Sequence, residues 1–237
     1  MKDLILGILL LAVCSTNSYA DQSRKIQFRT LCLEPIKGLE NVVLSSGKDP
    51  AKNQEVVLFT DVSPVASATF KTNEAIFYTL KPDSKGNPTR VEAGKATLGK
   101  SNRQLFLFIP GEGGEGKLPY HVRAYDDDQK TFAMGSIRAI NLSPLPVRFV
   151  TAEATTPPIP PDNFAQFAHS KTVNEYNMYP VSVEFQSDSG EWVKGESLTW
   201  KGTDKKRDIV IVSEDKTTQV RAIQIFSDFP PWVLPVK

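Results

Sequence analysis

Along most of this chain apolar and polar residues alternate with a period of two, and clusters of turn-forming residues interrupt the alternation at short intervals. Runs rich in Val, Ile, Phe, Tyr and Thr at 25–33, 40–46, 54–60, 74–80, 103–109, 120–125, 135–143, 146–152, 181–185, 207–213 and 219–226 are predicted strands. Successive strand residues point to opposite faces, so this period suits a sheet with one face in water. Helical spacing surfaces once, in 162-DNFAQFAHSKTV-173, where Asp162 is placed to cap a short helix carrying Phe164, Phe167 and Ala168 on one side. Strands joined by Gly, Asp, Ser and Pro turns, without helices between them, predict an all-β fold of antiparallel sandwiches with one short helix at most.

The strand pattern repeats. Residues 83-DSKGNPTRVEAGKATLGKSNRQLFLFIP-110 lie against 188-DSGEWVKGESLTWKGTDKKRDIVIVSE-214 with one gap at Lys85, so that Arg103 meets Arg207 and Leu105–Phe108 meets Ile209–Val212. Past the next loop Val122-Arg-Ala124 meets Val220-Arg-Ala222, and upstream Phe28–Pro35 resembles Ile137–Pro144. The expectation is a duplication giving two tandem β-sandwich-like domains, 21–132 and 135–230, followed by a tail at 231–237.

The first twenty residues have the three-part build of a secretory signal peptide: Lys2, an apolar block from Leu4 to Val13, and a polar end at Ser18-Tyr19-Ala20. Cleavage is expected after Ala20, and the apolar block is far shorter than the ~20 residues a membrane-spanning helix needs. Leu11-Ala-Val-Cys14 approaches a lipobox, so a lipoprotein anchored through Cys14 is the alternative. No later segment is apolar enough to enter a membrane as a helix. The expected location is therefore periplasmic or extracellular. Cys32 is the one cysteine left after cleavage, which rules out an internal disulfide and leaves the fold to its core. In its apolar surroundings Cys32 reads as a small buried residue.

Charge narrows the function. The net formal charge is +1, with acids and bases interspersed, and this offers no basic field for nucleic acid. The tract Gly111-Glu-Gly-Gly-Glu-Gly116-Lys117 has the G-x4-G-K spacing of a phosphate-binding loop, but three features exclude a nucleotide. Leu118 stands where a Ser or Thr would hold magnesium, two glutamates face the phosphates, and Leu118-Pro119-Tyr120 leads into a strand instead of a helix. The tract is expected to be a hairpin loop.

Other chemistry is sparse. His121 and His169 lie in unlike settings without ligand spacing, so no metal or other cofactor is expected. No nucleophile-elbow pattern occurs. Asp126-Asp-Asp128 reads as a solvated turn. Trp192 and Trp200 are eight apart and share a face unless Gly195 breaks the strand; with Tyr179 they are the candidate ligand-binding residues, a platform for sugar rings, with core packing as the competing role. The segment 155-TTPPIPPDN-163 reads as a stiff spacer or the cover of a sheet edge, and Trp232 as a pin holding the tail to the body.

The stretch Gly135-Ser-Ile-Arg-Ala-Ile-Asn-Leu-Ser-Pro-Leu-Pro-Val-Arg-Phe149 resembles the opening strand of small secreted bacterial β-sandwich domains, as in the family of the periplasmic alginate-acetylation accessory protein F. The resemblance implies an adaptor or binding role in the periplasm and brings no catalytic residues with it. The expectation is an exported protein, leaning away from catalysis, that binds or scaffolds an envelope protein or polysaccharide. The alternative is a carbohydrate-binding module or carbohydrate-active enzyme using the aromatic platform.

Overall fold

A computed structural model describes residues 23–45, 54–112, 114, 116–215 and 218–233. The predicted signal peptide and Cys14 lie outside the described residues. The strands are β1 (Arg24–Cys32), β2 (Asn41–Ser45), β3 (Gln54–Val57), β4 (Ala66–Phe70), β5 (Glu74–Pro82), β6 (Pro88–Thr97), β7 (Arg103–Pro110), β8 (Tyr120–Asp126), β9 (Ser136–Asn141), β10 (Val147–Val150), β11 (Phe164–Ala168), β12 (Met178–Gln186), β13 (Trp192–Lys201), β14 (Arg207–Glu214) and β15 (Arg221–Asp228). The class is all-β. Among the described residues no helix is long and apolar enough to cross a membrane.

The strands form four sheets, each built within one half of the chain. Sheet 1 has the order β3-β2-β5-β6 and sheet 2 the order β4-β1-β7-β8; sheet 3 is β11-β9-β14-β15 and sheet 4 is β10-β12-β13. The neighbours are antiparallel except β1/β7 and β9/β14, which are parallel. Ile26, Phe28, Phe106 and Phe108 of sheet 2 pack on Val42, Leu44 and Phe77 of sheet 1. Ile137, Val210 and Val212 of sheet 3 pack likewise on Val181, Val183 and Trp200 of sheet 4. A third cluster joins the halves, with Leu31, Leu105 and Leu107 of sheet 2 against Ile140, Ile209 and Ile211 of sheet 3. The four sheets are thus stacked in the order 1-2-3-4.

That stacking explains the least alternating strands in the chain. Phe106 and Phe108 face one core while Leu105 and Leu107 face the joint, and all four are fully buried; Ile209–Val212 divide in the same way. A strand buried on both faces has no solvent side and so carries no polar alternation.

Two expectations are corrected. Residues 164–168 are strand, not helix: β11 pairs antiparallel with β9 from Phe164↔Ile140 to Ala168↔Ser136, and Ala165 and Phe167 turn inward by strand alternation. Asp162 has φ +61°, left-handed backbone in place of the extended backbone of a helix cap. The glycine tract does join antiparallel β7 and β8, whose pairing runs to Pro110↔Tyr120 and is continued by Gly111 N–H to Pro119 O at 2.6 Å.

Register also refines the internal match. The hairpin β5–β6 pairs from Glu74↔Thr97 to Pro82↔Pro88 and β12–β13 from Met178↔Lys201 to Gln186↔Trp192, so 74–110 lies against 178–214 without a gap. Both turns close identically, Asp83 N–H to Asn87 O and Ser187 N–H to Glu191 O, each at 2.8 Å. Each turn also has a glycine in left-handed backbone, Gly86 at φ +83° and Gly190 at φ +84°. Each hairpin carries one bulge, which lies two residues nearer the turn in the second. Val122 lies opposite Phe108, and Ile223 opposite Val212, so the partner of Val122 is Ile223 and not Val220.

Candidate functional site

The joint between sheets 2 and 3 holds the densest polar chemistry of the molecule. Arg29 of β1 donates to Asp127 Oδ2 at 3.0 Å from Nε and 2.7 Å from Nη2, and to Asp228 at 2.5 and 3.0 Å. Arg207 of β14 donates from Nε to Asp228 Oδ2 at 2.8 Å, from Nη2 to Asp127 Oδ1 at 2.6 Å and again to Asp228, and from Nη1 to Phe132 O at 2.8 Å. None of the four side chains is more than 3% exposed. Each arginine thus bridges a carboxylate of its own half and one of the other. Burial alone would raise the pKa of Asp228, but Arg29 and Arg207 hold it below the usual carboxylate range; at Asp127 burial prevails and pushes the carboxyl up.

This quartet revises one sequence reading. Asp126-Asp-Asp128 is not a solvated turn: Asp127 is fully buried, while Asp126 and Asp128 accept from the backbone N–H groups of Ser101 and of Lys130 and Thr131. Arg207 is wholly buried. The signal available in the sequence was Arg207 at the opening of its strand, matched to Arg103; Arg29 in mid-strand, Asp127 just past β8 and Asp228 at the end of β15 carry no such mark. Chemically the quartet is closed, its carboxylate oxygens being occupied by guanidinium N–H groups. Beside it Arg138 is pushed down by burial to about 10, donates to Asp126 O at 2.7 Å and stacks on Phe132 with the guanidinium 4.3 Å from the ring centroid.

The sequence-predicted platform divides in two. Tyr179 and Trp200 are opposite each other in register, 2% and 5% exposed, and belong to the core between sheets 3 and 4. Trp192 lies on the outer face of sheet 4, where Arg148, paired to Glu184, stacks on it at 4.2 Å. The bulge at Gly195 shifts the register by one and turns the two tryptophans to opposite faces. Only glycine fits there, because a Cβ would overlap the Phe185 ring. These residues therefore form no shared exposed surface.

Tyr179 instead meets His169, whose Nδ1 lies 2.8 Å from the phenol oxygen and whose Nε2 lies 3.1 Å from Asp208 Oδ2; Lys206 Nζ is 2.8 Å from Asp208 Oδ1. A carboxylate, an imidazole and a hydroxyl in series can relay a proton. Here all three are buried and end against the core, and burial pushes the Tyr179 phenol well above its usual range. The chain is a polar plug beneath sheet 4. Cys32 is buried too and pushed up by that burial to about 11, so it is held as the unreactive thiol. His121 is exposed and apart from His169, and among the described residues no cluster of three metal-ligating side chains forms.

Among the openings of the surface, two are lined wholly by described residues. One is a cleft of about 510 Å³ on sheet 2, lined by Lys25, Gln27, Ser67, Ser101, Asn102, Arg103 and Asp128. The other is a groove of about 440 Å³ whose walls come from both halves, with Ile109, His121 and Arg123 on one side and Leu142, Asp162 and Glu214 on the other. Arg123 crosses it to Asp162, with Nη2 to Oδ1 at 2.5 Å and Nη1 to the carbonyl at 2.9 Å. Compared with protein-family models and with curated proteins, the chain matches none.

Proposed function

We propose that this protein is an exported, non-catalytic binding or scaffolding component of the cell envelope, built from two duplicated β-sandwich units. The observation that carries the reading is the joint: Arg29 and Arg207 each engage Asp127 and Asp228 across the halves, inside an apolar seam. Two units clamped this way keep their binding surfaces at a fixed separation, including the groove that both halves wall. A rigid spacer with surfaces for an envelope protein or polysaccharide is what such an arrangement serves, and the adaptor role implied by the resemblance of residues 135–149 is of the same kind. Duplication is supported by the shared sheet order, the gapless hairpin match and the paired bulges.

Fractionation of cells making the full chain tests the reading. The expected result is a mature chain beginning at Asp21 in the periplasmic or extracellular fraction, cross-linked in the intact cell to one envelope component, with the link weakened by Arg123→Ala at the groove. Retention of the uncut chain in the cytoplasm would refute it.

A further inference from the structure

The quartet leaves one arginine over. Register makes Arg103 the counterpart of Arg207, yet Arg207 is enclosed by two carboxylates while Arg103 pairs with none among the described residues. Its guanidinium lies 5.1 Å from the Trp232 ring centroid, and its Nε donates to Gln27 Oε1 at 3.4 Å. Ser67 of β4, Gln27 of β1 and Arg103 of β7 are neighbours in register, so they stand in a row across three strands. Strand spacing puts the ends of that row about 10 Å apart, and Lys25, two residues from Gln27, joins it on the same face about 7 Å along. This row is the floor of the 510 Å³ cleft, and Ser101 and Asn102 stand at its margin.

Charge at this corner is unbalanced. Arg24 spends its donors on Asn102 Oδ1 and the carbonyls of Gly99 and Ser101, and neither Lys25 nor Lys100 forms an ion pair among the described residues. The nearby carboxylates are already engaged: Asp126 accepts from Ser101 N–H at 2.9 Å and Gln104 Nε2 at 2.6 Å, and Asp128 from Lys130 and Thr131 N–H. Lys25 and Arg103 thus face an open cleft with hydroxyl and amide groups between them. Asp128, at the cleft wall beside Ser101, adds an acceptor. In the second half the corresponding positions are Met134, Ser136, Ala168 and the neutralised Arg207, so nothing comparable forms there.

We propose that this cleft is a binding site for an oxyanion, a phosphate, sulfate or carboxylate group held between Lys25 and Arg103, with a neighbouring hydroxyl of the ligand donating to Asp128. Guanidinium and ammonium groups make charge-assisted hydrogen bonds to such groups. Trp232, stacked on Arg103, reports occupancy. The inference deepens the binding role proposed above by naming a ligand class. Its failure is distinguishable, because anion binding is read on purified protein and export on cells.

Purified mature chain is titrated with inorganic phosphate, sulfate and glycerol 3-phosphate at constant ionic strength, with glycerol as the neutral control, and followed by tryptophan fluorescence and calorimetry. Saturable binding of the anions and none of glycerol is expected. Arg103→Gln should weaken it at least about tenfold, the loss of one charge-assisted contact, and Lys25→Gln should weaken it too, while the remote Lys194→Gln leaves it unchanged. Tighter binding of glycerol 3-phosphate than of phosphate assigns the Asp128 end to a ligand hydroxyl; equal binding limits the site to the free anion. No saturable binding of any probe overturns the proposal, as does undiminished binding by correctly folded Lys25→Gln and Arg103→Gln variants.

Discussion

The two halves of the chain use one strand order for opposite ends. In the first, β3 flanks β2 as a proper strand; in the second, the place beside β10 is taken by the proline-rich segment, which makes only the bridges Val147↔Ile159 and Val150↔Thr155. Four prolines there supply no N–H, so a ladder cannot form and the segment caps the edge with Ile159 buried as its anchor. Matched arginines diverge in the same way. All four lie over aromatic rings, but Arg29 and Arg207 also hold the joint, whereas their counterparts Arg138 and Arg103 form no ion pair among the described residues. The matched positions hold four arginines, and only two of them engage the two aspartates of the joint. The difference teaches that the joint consumed half of the repeated charges and left Arg103 facing a cleft.

Truncating the two matched arginines sharpens that contrast most. Removing one partner from a buried ion network strands the others, so Arg207→Met is expected to cost about 3–5 kcal/mol. Arg103→Gln removes a cation–ring contact and a long hydrogen bond to Gln27 and should cost under about 1 kcal/mol. Urea denaturation of both variants checks this, and similar losses would mean that the halves share the charge equally.

The next largest effect concerns whether the halves behave as one body. Leu107→Ala opens a cavity in the seam and is expected to cost about 2–5 kcal/mol. Trp192 and Trp200 lie in the second half, whereas Trp232 packs on Arg29 and Arg103 of the first, so the fluorescence is read in a Trp232→Phe background. If the seam couples the halves, this first-half substitution lowers the midpoint reported by tryptophan fluorescence as much as that reported by circular dichroism, in one cooperative transition. Two separate transitions would make the joint a soft contact.

Much of this architecture was legible in the sequence, and what was not has a physical pattern. The eleven predicted strands all fall on observed ones; β4, β6 and β13 are not among them and β11 was expected to be helix, and each of these four is an edge strand. Edges are built from Ser, Thr, Gly, Lys and Glu, as in 88-PTRVEAGKAT-97, because they need solvent compatibility more than burial, and this erases the apolar period. Missing β4 hid Ser67 and hence the row that floors the cleft. The seam was hidden for the opposite reason: Leu105–Phe108 and Ile209–Val212 are apolar on both faces, which marks a sheet covered twice, but only if such a run is distinguished from an ordinary strand. Trp192 and Trp200 turned on one residue: they were expected to share a face unless Gly195 broke the strand, and the bulge there breaks it. Spacing along a strand cannot disclose which face follows a bulge, even where Gly195 marks its position.

The smallest effect separates the halves by pH. Gln104 and Asp208 are register counterparts, as are Asp126 and Ser227, so the carboxylate has changed strands: Gln104 donates to Asp126 at 2.6 Å, while Ser227 donates to Asp208 at 3.0 Å. Burial opposes the charge on Asp208, but His169, Lys206 and Ser227 hold its pKa below 3.8. Below the ordinary carboxylate pKa the unfolded chain therefore binds the proton first. The stabilisation from Asp208 is complete above about pH 4 and drains away as pH falls through the lower folded value. Asp228 adds to the loss in the same direction, and Asp127, shifted upward by burial, opposes it. Asp208→Asn should accordingly lower stability at neutral pH and flatten the acid limb of a stability–pH curve measured by urea denaturation. Gln104→Asn, which titrates nothing, should leave the slope of that limb intact. An unchanged acid slope in Asp208→Asn would place the acid sensitivity wholly in the joint, making the two halves alike outside it.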